Sequence, residues 1–227
     1  MTDDRARSAV LPARTSLPDP VRRPLLLLAV PAAITVVVMA VRFAGTHTAS
    51  ALDRWILAVS GGAIPYPSQQ RVTAKGLDFA GEPVGAGLLV AALITLCLVL
   101  RHRRAAVLAV LGPGMAVAVT TLLKPVVGRT INGPHLSYPS GHTAVVTAMV
   151  LVFVFVLVDR LRLRPAAATA VVLYTAITAG AAEAWAQYGM VVHYPTDTLG
   201  GFCVAMAVVP TTAWVIDRVT RRAGTPA

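Results

Sequence analysis

Six apolar runs dominate the chain, and they constrain its fold more than any other feature. They fall at about residues 24–44, 83–100, 105–123, 143–158, 165–185 and 197–216. A helix needs about 20 apolar residues to cross the hydrocarbon of a bilayer. Backbone in lipid must find its hydrogen bonds within the protein, and a helix does so segment by segment. The expected fold is therefore all-α, a polytopic membrane protein built as a six-transmembrane helix bundle. Composition agrees. Of 227 residues, 56% are apolar and 13% charged, against about 25% charged in an average soluble domain. Gly112-Pro113-Gly114 lies inside the third run and is expected to kink or loosen it, which membrane helices tolerate. Cys97 and Cys203 sit in apolar runs and read as buried small hydrophobes rather than a disulfide.

The charges orient the spans. The net charge is +10, and only two of the 20 basic residues, Lys75 and Lys124, are lysine. Arg5, Arg7, Arg14, Arg22 and Arg23 precede the first run. Arg101, Arg103 and Arg104 link the second and third. Arg160, Arg162 and Arg164 link the fourth and fifth, and Arg218, Arg221 and Arg222 follow the sixth. These 14 share one side if both termini do, which leaves six on the other. The positive-inside rule then places both termini in the cytoplasm of a multi-pass protein of the inner or plasma membrane. It also accounts for the basic N-terminus as topology, so nucleic acid is not an expected partner. The expected organisation is a basic cytoplasmic tail at 1–23, a six-span domain at 24–217 and a cytoplasmic tail at 218–227. Within the domain, 45–82 lies outside, either as one or two short interfacial helices anchored by Trp55 and Tyr66 or as a lid over the polar linkers described next. Ala49-Ser50-Ala51 resembles a signal cleavage site, but the preceding run exceeds the about 7–15 residues of a signal h-region.

Two outward linkers carry the chemistry. The first holds Lys124 and Arg129, then Pro139-Ser140-Gly141-His142; the second holds His193-Tyr194-Pro195-Thr196-Asp197. Ionisable groups at such positions are functional candidates by default. Lys124 and Arg129 offer cations, the arginine as a bidentate fork. Ser140-Gly141 opens the fourth helix, whose free N–H groups and positive dipole end suit an anion. Together these are parts of a phosphate cradle. His142, in the first turn, is a candidate proton donor. His193 and Asp197 are four apart, so the aspartate can fix one imidazole tautomer and leave the other nitrogen free to attack. Two histidines, one nucleophile and one acid, can run phosphoryl transfer without a metal.

With those residues in place, the sequence resembles the type 2 phosphatidic acid phosphatases, relatives of bacterial acid phosphatases and vanadium haloperoxidases. Pro139-Ser140-Gly141-His142 matches the family's second motif in full. His193 and Asp197 match the end of the third, and Lys124 the start of the first. The resemblance covers roughly residues 83–216. It implies a core four-helix phosphatase-like site, with His193 as nucleophile, Asp197 orienting it and His142 protonating the leaving alcohol. Lys124, Ser140 and the Gly141 backbone N–H would hold the phosphoryl oxygens. It also implies no cofactor and no metal. Two positions depart from the pattern. Ile131-Asn132 stands where the first motif has Arg-Pro, with Arg129 as a possible substitute. Ala186-Gln187 stands where the third has Ser-Arg. Gln187 donates hydrogen bonds without a charge, and a charge-assisted bond is roughly twice as strong. Glu183, one turn before Gln187, pairs with Arg129, contacts a substrate hydroxyl, or stays a buried protonated acid. His135 lies in the first linker near the cradle.

The expected function is an integral-membrane phosphatase acting on a lipid or polyprenyl phosphate or diphosphate, with membrane lipids as its surroundings. Three other readings use the same residues. One is a phosphotransferase passing the phosphohistidine to another acceptor. Another is a weakly active relative that binds lipid phosphates. The third is a metal site of His142, His193 and Asp197. An intramembrane protease with Ser140 as nucleophile lacks the usual glycine two residues before the serine, where Tyr138 stands.

Overall fold

The structure, a computed structural model, describes residues 14–223; Arg5 and Arg7 of the basic tail lie outside the described residues. It is 78% helical. The order is α1 (Asp19–Phe43), α2 (Ala51–Val59), α3 (Gln69–Gly81), α4 (Pro83–Val99), α5 (Arg103–Val127), a two-stranded ribbon, α6 (Gly141–Leu161), α7 (Pro165–Gly189) and α8 (Pro195–Ala223). Five helices are long and apolar enough to cross a membrane, or six if the bent pair α3–α4 counts as one span. The chain is a multi-pass membrane protein.

The second expected span is the one that changes shape. α4 has 17 residues and meets α3 at a 65° bend. Pro83 is the cause: a proline disfavours helical backbone in the residue before it, and Glu82 is extended at φ −66° and ψ 150°. The third span, by contrast, runs unbroken through Gly112-Pro113-Gly114 and ends where Gly128 turns left-handed at φ 64°. The ribbon pairs Thr130–Ile131 with His135–Leu136, antiparallel, around left-handed Asn132 and Gly133.

Packing follows the rule for helices in lipid, where small side chains let backbones approach. Ala168, Val172, Ala176 and Gly180 make a four-residue stripe buried on α7, and Ala105, Ala109, Gly112 and Ala116 a comparable one on α5. α6 lies at the centre, against α4, α5, α7 and α8. Large apolar residues face outward instead, among them Leu27, Val37 and Val41 on α1 and Tyr174 on α7. Cys97 and Cys203 are free and buried.

The two ends of the bundle differ. At one end Asp217 of α8 accepts the Ser16 and Leu17 backbone N–H groups at 2.7 and 3.0 Å, with Arg22 and Arg104 at 3.9 and 3.7 Å. His102 and Arg14 meet Asp159 of α6 there as well. The other end holds the C-terminus of α5 and the N-termini of α6 and α8, with α2 and α3 packed against them. Every residue of the two polar linkers sits at that second end.

Candidate active site

Ser140 is the N-cap of α6. Its Oγ accepts from the Thr143 N–H at 3.4 Å and from the Thr143 hydroxyl at 3.2 Å, which leaves its own hydroxyl hydrogen free to donate. Its backbone N–H donates to the Asp197 carbonyl at 2.9 Å and so ties the two linkers together. The N–H groups of Gly141 and His142 open the helix beside it, as an anion site needs. Lys124 is half-buried on α5, makes no hydrogen bond or ion pair among the described residues, and lies within electrostatic reach of Asp197 and His142. Its charge is uncommitted.

The close approach of α8 to this cradle depends on a missing side chain. A Cβ on Gly201 would meet the Ser140 carbonyl oxygen at 2.3 Å and the Ala144 nitrogen at 3.2 Å, both backbone atoms. Gly201→Ala is therefore expected to push α8 from the α6 N-terminus and separate the two linkers. A 1 Å misplacement costs about 10²-fold in rate. Phosphate release by the variant measures the loss; an unchanged rate would show that the approach is not needed.

His193 is 8% exposed, in the turn between α7 and α8. Its Nδ1 lies 3.7 Å from Asp197 Oδ2 and has no hydrogen-bond partner, so Nε2 is the nitrogen turned from the carboxylate. Asp197 is held from three directions: Oδ2 accepts the Tyr194 N–H at 2.9 Å, and Oδ1 accepts Arg129 Nη1 at 2.6 Å; its backbone carbonyl takes Ser140. Arg129 is the surprise. It is fully buried. Nη1 also donates to Thr196 Oγ1 at 2.7 Å, and Nη2 to Asp53 Oδ2 at 2.8 Å. The guanidinium carbon sits 4.0 Å from the Phe43 ring centre and 4.4 Å from that of Tyr194. Arg129 is thus a pillar between two carboxylates and two rings, and its Nε is buried without a hydrogen-bond partner.

Asp53 was not legible as part of the site. It belongs to the capping box of α2, where it accepts both the Ser50 N–H and hydroxyl. Its second oxygen takes the Thr196 N–H at 2.8 Å. Burial pushes this carboxyl up, but the bonds from Ser50 and Thr196 outweigh it and hold it below the ordinary carboxylate range. The Ser50-x-x-Asp53 spacing was the available signal. Asn132, standing where the family has proline, donates to the Val191 carbonyl at 2.7 Å. Val191 is left-handed at φ 62°, an outlier for a β-branched residue, two residues before His193.

Gln187 spends both amide hydrogens within the protein, on Asp78 Oδ1 and Glu183 Oε1, each at 2.8 Å. It has none left for a substrate. Glu183 therefore pairs with Gln187 and not with Arg129; its Oε2 has no partner. His142 is half-buried, its Nε2 at 3.6 Å from Asp78 and 3.8 Å from Glu82, and it lies within electrostatic reach of His193. Among the described residues the trio whose ligand atoms all lie within 4.8 Å of one another is Asp78, Glu82 and His142, not His142, His193 and Asp197. His135 is exposed on the ribbon, opposite Ile131.

The fold defines a helical multi-pass membrane protein, with His142, His193, Lys124 and the α6 N-terminus gathered at one end of the bundle. The chain belongs to the PAP2 superfamily, whose family model matches residues 105–221, and the superfamily makes it a phosphoric ester hydrolase by class. No curated protein and no solved structure matches the chain.

Proposed function

We propose that the protein is an integral-membrane lipid phosphatase working through a phosphohistidine on His193. The observation that carries this reading is the meeting, at one end of the bundle, of an uncommitted Lys124, the α6 N-terminus and a buried histidine backed by Asp197. His193 Nε2 attacks phosphorus. The bond to the leaving oxygen breaks, and His142 gives that oxygen its proton. A water that returns a proton to His142 then attacks the phosphohistidine and releases phosphate. Lys124, the Ser140 hydroxyl and the backbone N–H groups of Gly141 and His142 hold the phosphoryl oxygens, where such preorganised donors act on developing charge. Arg129 positions Asp197. No step needs a metal.

With both Arg129 Nη groups and the Gln187 amide committed internally, Lys124 is the permanent cation left to the phosphoryl oxygens among the described residues, which fits a monoester better than a diphosphate. An apolar groove of about 310 Å³ between α4 and α6, lined by Leu93, Val146, Met149 and Phe153 among others, suits a hydrocarbon tail. Val146 is one turn below His142. The basic clusters at the opposite end support cytoplasmic termini and an outward-facing site. The test is phosphate release by the reconstituted protein from a panel of lipid and polyprenyl mono- and diphosphates. We expect turnover of a lipid monophosphate, retained in chelator. No release from any member would contradict the proposal.

A further inference from the structure

The segment that precedes the matched family region supplies its own piece of the site. α3 is capped by Ser68 and buries Ala74 against Ile64 and Ala186, which fixes its last turn over the α6 N-terminus. There Gly81 lies so close to His142 that a Cβ would sit 2.5 Å from the ring Cδ2 and 2.9 Å from Cα. Asp78 and Glu82, on either side of Gly81 in the chain, both face the same ring nitrogen. The His142 Nε2 atom is shielded from solvent and has no hydrogen-bond partner, with the Asp78 and Glu82 carboxylates at 3.6 and 3.8 Å. Hydrogen bonds of this kind are often long in the free protein and tighten in the complex.

We infer that Asp78 is a positioning residue for His142, a carboxylate that holds the imidazole ring and favours its protonated form for delivery of the proton to the leaving oxygen. The inference rests on the acid role given to His142 above. The charged groups around that ring are Asp78 and Glu82 from α3, Lys124 from α5 and His193 from the turn before α8. Burial, His193 and Lys124 all oppose a positive charge on the ring, and the two carboxylates work against them. Asp78 is the better placed, because it is the less exposed of the two and is itself held by Gln187 at 2.8 Å. This accounts for the departure at position 187. An arginine there would pair with Asp78 and neutralise it. A glutamine orients Asp78 and leaves its charge for His142. The site then has two histidine–aspartate pairs, one behind the nucleophile and one behind the acid.

The leaving group reads this out. A protonated donor matters when an alkanol leaves and hardly at all when a nitrophenol leaves. The experiment compares kcat/KM for two lipid phosphates of matched tail, one with each leaving group, in the reconstituted protein. Asp78→Asn keeps the oxygen that Gln187 bonds and removes only the charge. It is expected to lower the alkanol reaction by about 10²-fold, within what a positioned general acid contributes, and the nitrophenol reaction by less than about threefold. Asp78→Glu, which restores the charge, is expected to recover much of the loss. Adding Asp78→Asn to His142→Ala is expected to change little. Equal losses on both substrates, or losses that multiply in the double variant, would overturn the inference while the phosphatase reading stands. If His142→Ala itself shows no leaving-group bias, the acid role fails and the inference falls with it.

Discussion

His193→Ala is expected to lower phosphate release by at least about 10⁴-fold, since removing a nucleophile costs on the order of 10⁶ where it has been isolated. No neighbour is placed to substitute. His142 stands with its Nε2 between Asp78 and Glu82, and Lys124 is a cation. The folded state should hardly notice the change. The His193 side chain makes no hydrogen bond, its Nδ1 standing 3.7 Å from Asp197, while its backbone N–H to the Gln187 carbonyl survives substitution. Thermal unfolding of the variant is therefore expected within about 1 kcal/mol of wild type, in the range of substitutions that break no special feature. A large fall in Tm would mean that the loss of activity reports misfolding. Residual activity near the wild-type level would remove His193 from the mechanism.

Arg129→Leu carries the largest expected effect on stability. It leaves the Asp53 and Asp197 carboxylates, both fully buried, without their shared cation. Breaking a buried ion pair by removing one partner costs about 3–5 kcal/mol, a large part of the total stability of an ordinary domain. The Phe43 and Tyr194 rings lose the guanidinium between them as well. Arg129→Lys should rescue little, because a point charge cannot serve two carboxylates and two ring faces as a planar fork does. The sign of the pH dependence follows from Asp53. Its folded carboxyl titrates below the ordinary 3.8, so its stabilisation is present above that value and is lost as pH falls through the folded one. The Ser50 and Thr196 bonds that lower this carboxyl's pKa remain in Arg129→Leu, so this loss in acid is expected in the variant as in wild type. A variant with unchanged Tm at neutral pH would contradict this account of the pillar.

How far the sequence could be read depended on what kind of signal each residue left. The spans were legible because a lipid-facing helix must be apolar for its whole length, and the motif residues because their spacing survives without knowledge of partners. Charge partners left no such trace. Arg129 reads as a free cation beside the cradle, yet Asp53, 76 residues earlier, takes one of its arms. The Ser50-x-x-Asp53 spacing marks a helix cap and carries no trace of a distant arginine. α3 has too few apolar residues to read as a span, so the 45–82 stretch reads as short interfacial helices or a lid over the site, without showing which of its residues meet His142. The bend that puts it there is set by Pro83. Gln187 was visible as a departure, but its use became clear only with Asp78 beside it.

The central claim is that His193 becomes phosphorylated, and trapping that species tests it most directly. The reconstituted protein would be mixed with a turned-over lipid phosphate, quenched in base, where phosphohistidine survives, and digested for mass spectrometry. The account predicts a phosphoryl group on the His193 peptide, labile to acid, absent from His193→Ala and accumulating in variants slowed at the second step. Efficient turnover with no such adduct, or with the phosphoryl group on another residue, would contradict it.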